Sequence, residues 1–234
     1  MCVLLLATAR WLVSVFPMFG IHDLALYVLA TVLLAVTPGP DTALVFAQSL
    51  RHGARGGITA ACGTASGCVV HVTAASIGLS ALLAASATAF NVLKWLGAAY
   101  LLFIGLRTIV TSGRPPAAAV ASVTAAPAAR AFRTSSVYWT GFLTNVLNPK
   151  VAVFFVAFLP QFVAAGASGA PFGFAVLGLI LIAVGFAWLA GVSLLASRSA
   201  RILGSRLSLR RWLERSLGAA FVVLAAKLAL TERP

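Results

Sequence analysis

The sequence predicts an all-α polytopic membrane protein: six transmembrane helices in two inverted three-helix repeats, with helices 1 and 4 broken at proline motifs. Three observations carry that prediction. The 234 residues are 61% hydrophobic and only 9% charged, with a mean hydropathy of +1.03, whereas a soluble domain carries roughly 25% charged residues. The arginines crowd into alternate loops between apolar segments. Two proline-centred breaks, Thr37-Pro38-Gly39-Pro40-Asp41 and Asn148-Pro149-Lys150, fall at matching places in the two halves of the chain.

Residues 1–17 are apolar but short, interrupted by Arg10 and closed by Pro17. They lack the basic start and small-residue cleavage site of a signal peptide, so they read as an N-terminal extension or a mis-assigned start before Met18. Residues 18–110 form the first repeat, with spans near 23–49, 57–84 and 91–110. A Pro/Ala-rich cytoplasmic linker at 111–133 cannot build a core of its own. Residues 134–234 form the second repeat, with spans near 135–163, 172–197 and 212–230. Each span is close to or above the roughly 20 residues that cross the hydrocarbon core.

Charge sets the orientation. The loops after spans one, three and five hold twelve arginines, and the alternate loops at 85–90 and 164–171 hold no Lys or Arg. Basic loops stay cytoplasmic, which puts both termini outside. The net charge of +13 therefore reflects topology and attraction to anionic lipids at the cytoplasmic face, not nucleic-acid binding. The basic stretch between Arg198 and Arg215 reads as an amphipathic surface segment held by such lipids. Cys2, Cys62 and Cys68 are an odd set without CxxC spacing, which excludes a disulfide framework.

The repeat is legible in two places. LGAAYLLFIGL from Leu96 matches LGAAFVVLAAK from Leu217, and PDTALVF from Pro40 matches PKVAVFF from Pro149. Three spans per half is an odd number, so the halves must be inverted. Broken spans at corresponding positions of two such halves point to a transporter's binding site. Two prolines and a glycine cannot continue a helix, and unpaired backbone at membrane depth is tolerated only inside protein or along a polar cavity. Both second half-helices are expected to turn their N-termini, with free N–H groups and positive dipole ends, to the mid-membrane.

The alignment sets Asp41 opposite Lys150. The expectation is that they pair in the empty carrier and then receive a small zwitterion. Asp41 takes the α-ammonium or a proton, and Lys150 with the half-helix ends takes the α-carboxylate. The alternative is structural: Asp41 caps a helix and Lys150 simply pairs with it. The substrate-binding set is Thr37, Pro38, Gly39, Pro40, Asp41, Asn145, Asn148, Pro149 and Lys150, and the proton-coupling pair is Asp41 and His71. His71 lies in span two and is of the residue type that exchanges protons near neutral pH; a packing role remains open for it. Cys68 and His71 are three apart, but two ligands without a carboxylate are a weak metal signal. Gly63 and Gly67 form a GxxxG contact motif. Tyr100 is a further residue within reach of a cavity, with interfacial or packing roles equally open.

At these residues the chain resembles the LysE/RhtB group of bacterial amino-acid exporters. TPGPD is similar to the family's signature, followed by RHGARGG from Arg51 to Gly57. KWLGAAYLLFIGLR from Lys94 to Arg107 resembles its third span, and GFLTNVLNPKVAVFFVAFLPQFV from Gly141 to Val163 its fourth. The resemblance implies export of amino acids or close derivatives across the bacterial cytoplasmic (inner) membrane, driven by proton antiport. Two departures stand out. Cys68 replaces an acidic residue found in many members, so coupling here rests on Asp41 and His71. AAKLAL, ending span six, replaces a GLRLAL-like ending.

The competing functions are a metal or cation exporter of the same fold, an intramembrane enzyme, and a non-transporting membrane scaffold. The first predicts a cluster of His and acidic residues. The second must manage with four acidic residues in the whole chain and no HExxH or GxSxG motif. The third has no need of broken helices at depth. No cofactor is required by any motif, and the oligomeric state, homo-oligomer included, is left open.

Overall fold

A computed structural model describes residues 19–79, 87–110, 133–164, 167 and 169–198, together with Arg215, Ala219, Val222, Val223, Ala225 and Ala226. The N-terminal extension, nearly all of the 111–133 linker, the basic stretch between Arg198 and Arg215, and most of the sixth span lie outside the described residues. Within them the chain is almost wholly helical and has no strand. The helices are α1 (Leu24–Val36), α2 (Pro40–Ala74), α3 (Ala87–Val110), α4 (Thr134–Val146), α5 (Pro149–Val153) and α6 (Ala170–Arg198). A π turn, Ala75–Leu79, extends α2, and a π turn (Phe154–Phe158) and a 3₁₀ turn (Leu159–Phe162) extend α5.

Among the described residues, two helical segments are long and apolar enough to cross a membrane, Pro40–Gly78 and Ala170–Arg198. Thr134–Val146 with Pro149–Phe162, bent by 43°, makes a third if taken as one span. The outward faces are apolar as lipid contact requires: Trp139, Phe172 and Leu179 are exposed.

Both breaks have the same local cause. A residue before proline is pushed out of the helical region, and Thr37 accordingly turns extended (ψ 124°) and ends α1. Pro40 then opens α2 at its first turn, where a missing N–H costs nothing. In the second half Asn148 turns extended (ψ 107°) before Pro149, which opens α5 in the same way.

α2 itself is two arms. His52 (φ −127°, ψ 15°) and Gly53 (φ 64°, ψ −165°) interrupt its helical geometry, and the positive φ is one that glycine adopts without strain. Eight residues of straight helix span about 12 Å, yet a Cβ on Gly57 would collide with the Ser49 hydroxyl. The chain therefore folds back at the Arg51–Arg55 segment.

α2 packs most extensively on α4 and α6. Gly63 and Gly67 lie directly against the backbone of Tyr138 and Phe142, and Gly141 against that of Ala60. Small residues bring these backbones together where lipid offers no hydrophobic drive, and dispersion contacts hold them. A second buried cluster forms around Tyr27, Phe154, Phe158, Phe162 and Phe174. The Tyr27 hydroxyl donates to Leu177 O at 2.7 Å, tying α1 to α6. At the far end of α1, Ile21 pairs with Val163 in an isolated antiparallel bridge, which closes the start of the first half against the end of the α5 segment.

Candidate functional site

The two proline breaks meet. Asp41, in the first turn of α2, receives two hydrogen bonds on Oδ2, from Asn145 Nδ2 and Asn148 Nδ2, each 2.9 Å long. Asn148 also accepts the Lys150 N–H on Oδ1 at 3.0 Å, capping α5. That N–H is therefore already satisfied, and the start of α5 is not the open anion site expected from the sequence.

The prolines also decide where the cations go. In a helix the Leu34 carbonyl would receive the N–H of residue 38, and the Asn145 carbonyl that of residue 149. Both positions are proline and supply none. Lys150 Nζ donates to Leu34 O at 2.8 Å and to Thr37 O at 2.8 Å. His71 Nε2 lies 3.1 Å from Asn145 O; a carbonyl only accepts, so Nε2 carries the proton in that bond. Lys150 thus supplies the donor that Pro38 withholds from Leu34 O, while Asn145 O, which also accepts the Asn148 N–H at 2.9 Å, receives His71 as a second donor.

One expectation is corrected here. Asp41 and Lys150 form no direct ion pair: Asp41 Oδ2 receives the two carboxamides and Lys150 Nζ donates to Leu34 O and Thr37 O. Two carboxamides occupy the carboxylate, and the ammonium is drawn to the carbonyl end of α1, the negative end of its dipole.

Asp41, Asn145 and Lys150 line one cavity of about 60 Å³. Thr31, Thr64 and Cys68 also line it, and α6 forms its apolar wall with Leu181, Ile182, Phe186, Trp188 and Leu189. Five buried polar atoms of the lining have no hydrogen-bond partner: Thr31 Oγ1, Asp41 Oδ1, Asn145 Oδ1, Thr64 Oγ1 and Trp188 Nε1. Buried polar atoms are nearly always satisfied, so this concentration marks a place prepared for a polar ligand.

The remaining expected site residues stand around the cavity and do not line it. Thr37 and Asn148 act through Lys150 and Asp41. Gly39 lets Lys150 pass, since a Cβ there would sit 3.2 Å from Nζ. Pro38, Pro40 and Pro149 are exposed and shape the breaks. His71 stands behind Asn145, its ring stacked on Phe155 at 5.7 Å. Tyr100 lines a second, narrower crevice that Lys150 also borders. No group of three His, Cys, Asp or Glu able to hold a metal ion occurs among the described residues. The α6 wall was not legible beforehand, because Trp188 sits in an apolar run where an aromatic signals only packing.

A membrane protein whose helices enclose a charged, partly unsatisfied cavity belongs to the class that moves solutes. The chain is a member of the LysE type translocator family, whose profile matches residues 32–232; it is a transporter and not an enzyme. It is 34% identical over 216 residues, 91% of this chain and 97% of the relative, to an uncharacterized membrane protein of Pseudomonas aeruginosa. It is 28% identical over 218 residues to a leucine efflux protein of Salmonella choleraesuis, covering 92% and 98% of the two chains. It is 29% identical over 203 residues to a homoserine/homoserine lactone efflux protein of Salmonella typhimurium, covering 87% and 94%. No solved structure matches the chain significantly.

Proposed function

We propose that the protein is a secondary exporter of amino acids or close derivatives across the cytoplasmic membrane, working by proton antiport. One observation carries the reading: the cavity is lined by Asp41 from one proline break and by Asn145 and Lys150 from the other. The names of the efflux relatives point the same way. In this reading the chain crosses the membrane six times as an inverted repeat with both termini outside, and the cavity lies near the middle of the membrane between the two broken helices.

Asp41 holds either the substrate's ammonium or a proton, never both, which couples the two fluxes. His71, hydrogen-bonded to the Asn145 backbone carbonyl while the Asn145 side chain holds Asp41, is the second proton-exchanging residue of this reading. Lys150, with a third N–H beyond the two it spends on α1, receives the substrate carboxylate.

Asp41→Asn tests the coupling. It preserves the shape of the site and removes the exchangeable charge. Export of amino acids from cells or inverted vesicles is expected to fall to background, with loss of its dependence on the imposed pH gradient. Export with an unchanged pH dependence would refute proton coupling at Asp41.

A further inference from the structure

We propose that the cavity selects zwitterionic amino acids with an uncharged side chain, with Trp188 and Thr64 as substrate-binding residues, and that it rejects amino acids with a cationic side chain. The inference rests on the amino-acid exporter reading and narrows it.

The five unpartnered polar atoms of the lining divide by type. Asp41 Oδ1 and Asn145 Oδ1 are acceptors. Trp188 Nε1 can only donate, and the Thr31 and Thr64 hydroxyls do either. Asn145 and Thr64 are 3% and 5% exposed, so bulk solvent does not satisfy them. An ammonium group meets both acceptors, and a carboxylate meets the indole N–H and the Lys150 ammonium, which line the same cavity. Such pairing supplies the hydrogen bonds that the empty site lacks.

Apart from Thr31, Thr42 and Cys68, what remains of the lining is apolar. Leu34, Val151, Leu181, Ile182, Phe186 and Leu189 all line the cavity, giving the substrate side chain hydrocarbon to pack on. A second ammonium would be stranded there. Of the four acidic residues in the chain, Asp41 is the one whose carboxylate lines the cavity. Asp23 is exposed at the start of α1, and Glu214 and Glu232 fall outside the described residues. Asp41 is already committed to two carboxamides and to the first ammonium. A buried charge without its own counter-ion is strongly disfavoured. The site therefore accepts leucine-like or threonine-like side chains and excludes lysine.

The test is counterflow in proteoliposomes holding the purified full-length chain, with labelled leucine, threonine and lysine. Leucine or threonine should exchange at least about a hundredfold more efficiently than lysine, the scale expected for an uncompensated buried charge. Lysine exchanging as well as leucine would overturn the selectivity while leaving the exporter reading intact. Exchange of no amino acid across a broad panel would overturn both. Trp188→Phe keeps the ring and removes the donor; Thr64→Val keeps the shape and removes the hydroxyl. Each should raise the KM for the exchanged amino acid about tenfold at a nearly unchanged maximal rate. Both variants retaining the wild-type KM would overturn the assignment of these two residues.

Discussion

Lys150 and Leu34, 116 residues apart in the chain, are joined by a hydrogen bond of 2.8 Å from the ammonium to the backbone carbonyl. The carbonyl is free because Pro38, four residues on, has no N–H to give it. The helix break in the first half of the chain is therefore finished by a side chain from the break in the second half.

Removing that side chain should loosen α1. Lys150→Met keeps most of the stem but leaves Leu34 O and Thr37 O without donors. Each lost bond to a charged group is worth about 1.5–3 kcal/mol in water-soluble proteins and less in membranes. We expect a destabilisation of about 2–3 kcal/mol on that scale, read as a lower midpoint of thermal unfolding in detergent, together with loss of export. Lys150→Arg should not restore export, because a planar fork does not reproduce a compact ammonium between two carbonyls beside Gly39.

The two carboxamides on Asp41 make separable contributions. Asn145→Ala removes one donor to Oδ2 and an unpartnered acceptor of the cavity, but leaves the backbone carbonyl that meets His71. Asn148→Ala removes the other donor and the cap of α5. Losing a cap costs about 1 kcal/mol, so Asn148→Ala should lower thermal stability more. Asn145→Ala should raise the substrate KM more. Parallel unfolding and transport measurements on the two variants check the split.

Gly63 and Gly67 should tolerate no side chain. A Cβ on Gly67 would lie 2.6 Å from the Phe142 carbonyl, and the obstacle is backbone. Gly67→Leu must push α2 away from α4 and with it Asp41 from Asn145. Overpacking of this kind costs about 1–3 kcal/mol or more, and the expected result is low folded yield by fluorescence-detected size exclusion. Gly185→Ala on α6, where a Cβ meets open space, should leave yield unchanged.

The topology has its own test. Single cysteines placed in a cysteine-free background at 111–133 and at 85–90 should label from opposite sides of the membrane. The linker should react only after permeabilisation, as the arginine distribution requires. Labelling of both from outside would refute the inverted arrangement.

Much of this protein was written in its sequence, for reasons that are local. Apolar runs without charge have nowhere to go but a membrane or a core. Pro38, Pro40 and Pro149 break helices wherever they stand, since the missing N–H and the fixed φ belong to the residue itself. Asp41, Asn145 and Lys150 were marked as site residues because a charge or carboxamide beside broken backbone in an apolar run needs a partner. What each of them touches was decided by tertiary structure. The direct pairing of Asp41 with Lys150 followed from opposite charges at aligned positions of the two halves, but distance governs contact, and Asn145 and Asn148 hold the carboxylate while the carbonyls of α1 hold the ammonium. The α6 wall with Trp188 came only from packing, because no local pattern tells an indole that fills space from one whose N–H faces a cavity.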